Sequence, residues 1–527
     1  MLRTHLSVLE SSAARFSSSP AFRVPILDGQ TGKLNDWETI SYTQFLFDVE
    51  RSAVYWSHQL RDIPQRSVIG LWIGGFTYVD VLHIYGLSRA GYVPQMFSLR
   101  LSNADVILEL LIKANAKATF NCHVPIYQAN QVAEVDGSEL SSVPLRSLPV
   151  VTESDMAFIF HTSGSTSGSP KLVPCSYRWL DTTVSKSGQI GRPRNEARQD
   201  VTSWMVPRLM QDLVLIGSLQ HGSCTIQPTT ISFSTDELME MVTRCGLNRL
   251  NQFAAFLAMK LRDSRSDPKL LSILSNLDEI IYSGMPLARD AQEWALQNGL
   301  NVTVSFRSGL VLFKELGATL ISVGGSGTDA PLLRSLEGVS YEFVPVDSAP
   351  LEGHQSTARL LEFVVRSDSG DCPHSSLRAS DGHFHTGDLF QEVLPGRYVP
   401  CGRDDDWIKS ENSLRCDTKA IEDNVRATCG NLIAECIVVG TGRPSPTLFV
   451  EPAVDMDHDK LKKDILRKIR PFHSRLYLHE KISSPKMVVI VSRDALPRTA
   501  TKGNIRRKAV EDTYRAQLDQ IYGATSQ

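Results

Sequence analysis

Short apolar runs alternate with longer stretches of helical period along much of this chain. Residues 67–72 form a strand-like run, and residues 77–89 follow, where Val79, Val81, Leu82, Tyr85 and Leu87 predict a buried helix. Alternation of this kind predicts doubly wound α/β layers. A further α/β stretch runs from about Trp204 to Val323, and a β-rich segment from Val339 to Tyr398 is broken by Gly, Pro and Asp turns. Beyond Gly402 the pattern becomes that of a compact α+β module, with strands near residues 436–439, 448–450 and 487–491. Leu461, Ile465, Leu466 and Ile469 lie at helical spacing within it and predict a surface helix. The expected fold is α/β. A large N-terminal domain of doubly wound α/β layers with a β-rich subdomain covers residues 1–403, and a small α+β C-terminal domain covers residues 404–527. No internal repeat is visible.

The densest chemistry sits just after the apolar run 157–160. Thr162, Ser163, Gly164, Ser165, Thr166, Ser167 and Gly168 form a flexible, hydroxyl-rich loop that Lys171 closes. Glycines here can take positive φ and bring backbone N–H groups close to a polyanion, while the hydroxyls donate hydrogen bonds and the lysine supplies charge. This composition predicts a phosphate-gripping loop. It is not a Walker A loop, because no Gly-Lys-Ser/Thr triplet opens a helix.

The loop resembles the phosphate-binding signature of the adenylate-forming superfamily, which includes acyl-CoA synthetases, luciferases and adenylation domains of nonribosomal peptide synthetases. Further segments follow in that family's order over nearly the whole chain. Gly284, Met285 and Pro286 resemble its adenine-binding turn, where glycine permits close backbone approach. His385, Thr386, Gly387 and Asp388 resemble its Thr-Gly-Asp motif, whose carboxylate can accept from both ribose hydroxyls. Residues 402–409 match the junction signature between large and small domains. The resemblance there makes Arg403 a ribose or phosphate contact, Asp404 the hinge, and Lys409 part of the face used in a second half-reaction. Residues 496–508 resemble the last family motif, a loop that carries a lysine to the carboxylate and α-phosphate. Lys502 is the first candidate for that role and Lys508 the second, since the family's usual Gly-Lys order is reversed in Lys502-Gly503.

The resemblance implies ATP-dependent activation of a carboxylic acid to an acyl-adenylate with release of pyrophosphate, then transfer of the acyl group to a thiol. Expected cofactors are ATP, Mg²⁺ and coenzyme A. Thr162 and Glu315 are the expected metal ligands, and Lys502, Glu315 and Lys409 the expected catalytic residues. The acyl acceptor is either coenzyme A or a separate carrier protein, because the chain runs to Gln527 without a carrier-type attachment site. Residues 410–422 look most like adenylation domains of fungal nonribosomal-peptide-synthetase-like proteins and carboxylic acid reductases.

The chain departs from the family in two places. Where an aromatic-Gly-x-Thr-Glu motif is expected, Glu315 aligns with the metal-binding glutamate, but Lys314 replaces the threonine and Val311 and Leu312 stand in place of aromatic-Gly. Alternatively Phe306 is the adenine-stacking ring and extra residues intervene. Met210 stands where many acyl-CoA synthetases carry a histidine. Met210 implies a different pocket floor rather than a lost reaction, whereas the altered stretch from Val311 to Glu315 leaves a non-catalytic nucleotide- or acyl-binding homologue as a third reading. A pocket for an acid without an α-amino group is expected from residues 205–212, residues 251–256, Tyr282 and Phe306.

Composition sets outer bounds. A chain of 527 residues with 42% hydrophobic residues can form two or three cores, and a formal net charge of −3 argues against general nucleic-acid binding. Nine cysteines without a Cys-x-x-Cys pair suggest reduced thiols, no zinc site and a cytoplasmic protein. No apolar run reaches the length needed to span a bilayer. Residues 1–15 carry the Arg and Ser bias of a mitochondrial presequence and suit equally a short first helix before the strand at Pro25.

Overall fold

The computed structural model describes residues 2–99, 101, 103–116, 145–161, 171–193, 199–203, 210–283, 287, 289–304, 316–322, 332–346, 360–404, 407–411, 415–474, 476, 478–498 and 505–523. The N-terminal residues form a helix, His5–Arg15, capped by Thr4 and followed by the strand Pro20–Leu27. The helix expected near residues 77–89 spans Tyr78–Arg89. Thr77 Oγ1 accepts from the Asp80 N–H at 3.2 Å, and the Asp80 carboxylate accepts from the Thr77 N–H at 2.8 Å, so the first turn starts with its orphan donors satisfied. Residues 81–87 are all buried, which explains why the segment is apolar around its circumference. Gly86 lets this helix press against Tyr42–Gln59, since a Cβ there would lie 2.3 Å from Ser52 Oγ.

Two α/β layers and one antiparallel sheet carry the candidate site. A seven-stranded sheet runs in the order Val302–Val304, Glu279–Ser283, Arg249–Phe253, Val201–Ser203, Cys224–Ile226, Pro20–Leu27 and Leu34–Ser41. All its pairings are parallel except the last. Buried Arg249 joins three of these strands near their amino ends, contacting Glu279 at 2.8 Å and Asp200 at 3.6 Å and donating to the carbonyls of Ile190 and Gly191. A four-stranded sheet contains Val68–Ile73, Val93–Ser98, Met156–His161 and Leu172–Ser176, with only the last pair antiparallel. The largest apolar core packs it against the helices His5–Arg15, Tyr42–Gln59 and Tyr78–Arg89.

The β-rich segment forms a six-stranded antiparallel sheet, Leu320–Ser322, Leu333–Ser335, Arg397–Arg403, Phe384–Leu394, Leu360–Val365 and Tyr341–Pro345. The C-terminal residues add a two-stranded ribbon, Trp407–Lys409 with Arg415–Asp417, and a three-stranded sheet, Ile433–Val439, Thr447–Pro452 and Val488–Ile490. On the helix His458–His473, Leu461, Ile465 and Ile469 are buried. The eight described cysteines are free thiols, and among the described residues no helix is long and apolar enough to cross a membrane.

One charge is held deep inside. Lys186, on the helix Tyr177–Ile190, has a side chain 1% exposed, and its ammonium lies 2.5 Å from Asp371 and 2.6 Å from the Leu316 carbonyl. Asp371 also accepts from Ser369 at 2.5 Å and from the Tyr341 hydroxyl. Burial lowers the lysine's pKa, and Asp371 opposes that shift. Burial also raises the Tyr341 phenol well above its ordinary value, so it stays a donor at neutral pH. Removing one member of such a pair leaves an uncompensated charge. We expect Lys186→Met to lose about 3–5 kcal/mol in urea denaturation, and Lys186→Met/Asp371→Asn to recover part of that loss; a single variant as stable as wild type would show the pair to be dispensable.

Candidate active site

The expected phosphate loop joins two antiparallel strands. His161 pairs with Leu172 and Phe160 with Val173, so the loop opens from a closed hairpin stem. Its start is the carboxyl end of Met156–His161, which runs parallel to Val93–Ser98. Open α/β sheets place ligands beyond such ends. Exposed Lys171 lies on the returning side of the stem. Thr162, Ser163, Gly164, Ser165, Thr166 and Gly168 lie outside the described residues.

The adenine-turn candidates have a similar origin. The strand Glu279–Ser283 runs parallel to both its neighbours and ends immediately before Gly284, Met285 and Pro286, which also lie outside the described residues. Phe306 and Glu315 lie in the undescribed stretch after Val302–Val304. Leu316, which follows that stretch, is fully buried, with its carbonyl accepting from Lys186. Of the pocket candidates, Tyr282 is completely buried within an apolar core. Asn251 is buried and hydrogen-bonded to Ser203. Residues 205–209 lie outside the described residues, as do the side chains at 210–212.

The Thr-Gly-Asp segment can be followed atom by atom. Thr386 Oγ1 donates to the Phe363 carbonyl at 2.6 Å and accepts from the Asp388 N–H at 3.0 Å, tying the turn to itself and to the neighbouring strand. Gly387 has φ 71°, and a Cβ there would also meet the Arg403 guanidinium at 3.4 Å. Glycine answers both constraints. Asp388 is buried and faces Arg403 across the strands Phe384–Leu394 and Arg397–Arg403, with Nη1 donating to Oδ1 at 3.1 Å. The two motif residues are thus brought together by strand pairing. The carboxylate is an acceptor held in a fixed place, and the guanidinium beside it is 40% exposed.

Glu362, on Leu360–Val365, was not singled out by sequence reasoning. Its Oε1 accepts from the Gly387 N–H at 3.1 Å and its Oε2 lies 3.0 Å from His385 Nδ1. The other imidazole nitrogen lies 2.8 Å from Asp381. Hydrogen bonds to Asp381 and Glu362 raise the His385 pKa above 6.5. His385 was read only as the residue before the motif, and no local signal marks Glu362, whose partner positions arise from strand register.

Lys409 ends the strand Trp407–Lys409, with its side chain outside the described residues, and Asp404 is exposed at the junction. Lys502 lies outside the described residues, whereas Lys508 lies on the helix Arg507–Thr513. Thr162 and Glu315 are both undescribed, and among the described residues no cluster of three or more His, Cys, Asp or Glu side chains could hold a metal ion.

A layered α/β body whose strand ends lead into the expected phosphate loop and adenine turn, with Asp388 paired to Arg403, is the setting expected of an adenylate-forming enzyme. The chain belongs to the AMP-binding enzyme family of the adenylate-forming superfamily: residues 9–305 match the description AMP-binding enzyme, and residues 405–526 match AMP-binding enzyme C-terminal domain. It is 33% identical over 520 residues to the AMP-binding domain-containing enzyme iboA of Amanita muscaria, covering 94% of this chain and 98% of that one. Its fold is similar to O-succinylbenzoate coenzyme A synthetase from Bacillus subtilis in complex with ATP and magnesium, with TM-score 0.67, 15% identity, and coverage of 96% and 99%. It is also similar to the A domain of carboxylic acid reductase from Segniliparus rugosus in complex with AMP and a co-purified carboxylic acid, with TM-score 0.67, 13% identity, and coverage of 99% and 95%.

The charged His385 bridge yields a pH dependence. A histidine with a raised folded-state pKa contributes stability in full below its ordinary value of 6.5, and loses it as pH rises through the folded value. We expect the wild-type thermal midpoint to fall towards that of His385→Gln as pH rises from 6.5 through the raised value. A gap between the two proteins that stays constant with pH would show that the imidazole charge does not hold this turn.

Proposed function

We propose that this enzyme activates a carboxylic acid as its acyl-adenylate and passes the acyl group to a thiol, with coenzyme A the first candidate acceptor. The observation that carries this reading is the buried Asp388 carboxylate held against Arg403, which unites two family motifs in one polar site. A substrate carboxylate oxygen attacks the α-phosphorus of ATP; the new O–P bond forms as the bond to pyrophosphate breaks. The thiol sulfur then attacks the acyl carbon, AMP leaves, and the thiol proton passes to solvent.

Both reactants of the first step are anionic, so catalysis consists mainly of positioning and charge neutralisation. In this reading the loop donors from Thr162 to Gly168 and Lys171 hold the phosphates, and Gly284, Met285 and Pro286 border adenine. Asp388 accepts from the ribose, with Arg403 beside it. Lys502 neutralises charge developing between the carboxylate and the α-phosphate. Mg²⁺, with Thr162 and Glu315 as ligands, supplies further neutralisation of the phosphates when bound. The large domain, residues 1–403, and the small one, residues 404–527, turn about Asp404, so that Lys409 replaces Lys502 at the site for thiol transfer. The ATP and magnesium bound by the Bacillus subtilis synthetase support the cofactor assignment.

The deciding experiment is pyrophosphate release from ATP and Mg²⁺ across aryl, fatty, keto and amino acids, each with and without coenzyme A. We expect acid-dependent release, with multiple turnovers only when coenzyme A is present. Release without coenzyme A-dependent turnover points to a carrier-protein acceptor. No release with any acid, despite ATP binding, overturns the enzymatic reading in favour of a binding homologue. In the active enzyme, Lys502→Ala should lower adenylation by about 10²–10³-fold. Asp388→Asn should raise the KM for ATP by about 10-fold or more, as expected for loss of charge-assisted hydrogen bonds; an unchanged KM would remove Asp388 from the nucleotide site.

A further inference from the structure

In the C-terminal residues, a carboxylate is buried where a surface position would be cheaper. Glu451, on Thr447–Pro452, is 1% exposed. Glutamate is almost never buried so completely unless it is paired. Among the described residues, the partners of its carboxylate lie on one short segment 45 to 47 residues later. Oε1 accepts from the Leu496 N–H at 3.0 Å and from Arg498 Nη1 at 3.0 Å, while Oε2 accepts from Arg498 Nη2 at 2.7 Å. The carboxylate and guanidinium therefore meet in a two-pronged geometry that fixes orientation as well as distance.

That segment is the first limb of the loop bearing Lys502. Arg498 forms an antiparallel bridge with Ile505, and the Arg506 N–H donates to the Pro497 carbonyl at 2.8 Å. The described residues on either side of 499–504 are therefore paired with each other, with Lys502 four residues beyond Arg498 and three before Ile505. Leu496 is buried at 2% in the apolar cluster that contains Val510 and Tyr522, so the limb is anchored by packing as well. Packing alone would hold the segment to the domain. The buried ion pair adds a fixed direction at the point where the loop begins.

We propose that Glu451 is a positioning residue which, through Arg498, fixes the base of the Lys502 loop and so sets where that ammonium can reach. The inference rests on the adenylation reading above. It assigns to Glu451 no contact with substrate, and it predicts a selective loss of the half-reaction that uses Lys502.

The test compares wild type, Glu451→Gln and Arg498→Ala. The glutamine variant turns an amide donor towards the guanidinium. The Arg498 variant removes the pair from its more exposed side and serves if the buried substitution prevents folding. Each protein is treated with adenosine diphosphopyridoxal, a nucleotide whose aldehyde condenses with a nearby amine, then with borohydride, and the labelled lysines are mapped. We expect ATP-protectable labelling of Lys502 in wild type and about tenfold less in both variants, with Lys171 labelling unchanged as the control for folding and nucleotide binding. With the acid that turns over fastest in wild type, acid-dependent ATP–pyrophosphate exchange should fall about 10–100-fold in both variants. Thiol transfer from the synthetic adenylate of that acid should stay within about twofold.

The two readings fail differently. If wild type labels Lys171 but never Lys502, the placement of Lys502 at the nucleotide is wrong. If Lys502 labels equally in all three proteins, or if exchange and thiol transfer fall together, Glu451 is a structural residue only and the proposal is overturned.

Discussion

The burial of the Lys186 charge constrains the large body of this protein more than any apolar contact does. An ammonium 1% exposed persists only where anionic and carbonyl oxygens surround it, and those oxygens come from Asp371 and Leu316 on other parts of the chain. The helix Tyr177–Ile190 follows directly from the strand at the stem of the phosphate loop, whereas Leu316 and Asp371 flank the antiparallel sheet. Apolar packing could let these layers slide by a side chain's width. A lysine with defined acceptors cannot, so the α/β layer and the antiparallel sheet are held in register at Leu316, the residue that follows the proposed metal ligand Glu315.

The same logic operates at smaller scale along the Thr-Gly-Asp turn. Glycine geometry, the Thr386 hydroxyl and Glu362 together specify one backbone path, and Arg403 arrives opposite Asp388 by strand register. A carboxylate prepared in this way needs little reorganisation when a ligand hydroxyl approaches, which is the condition for electrostatic preorganisation. The His385 bridge makes the turn sensitive to proton concentration without placing a titrating group on the ligand itself.

In the C-terminal residues the pattern is repeated with different partners. Glu451 holds one limb of the Lys502 loop, and Glu422 receives Arg507 at 2.6 Å and the Val438 N–H at 2.8 Å, tying the following helix to the three-stranded sheet. Both carboxylates are buried, and both join segments separated by dozens of residues. Buried anions here act as fixed points that tie later segments of the chain to the three-stranded sheet.

The amino-acid sequence by itself determined the layered α/β organisation, the buried helix at Tyr78–Arg89, the β-rich segment and the order of the family's motifs. Each is a local property, carried by apolar period, capping residues or a few contiguous side chains. The same locality made the family membership legible. What only the tertiary structure decided are the contacts that place those motifs: Glu362 under Gly387, Asp371 against Lys186 at a separation of 185 residues, and Glu451 beneath Arg498 at 47. Tyr282 shows the limit of position alone: it lies on the strand Glu279–Ser283, and only the folded structure shows that its side chain is completely buried in an apolar core. The reason is physical. Periodicity and motif record what a residue does to its own backbone and its nearest neighbours, whereas the pairing of a buried charge depends on which distant segment the folded layers bring within three ångströms of it.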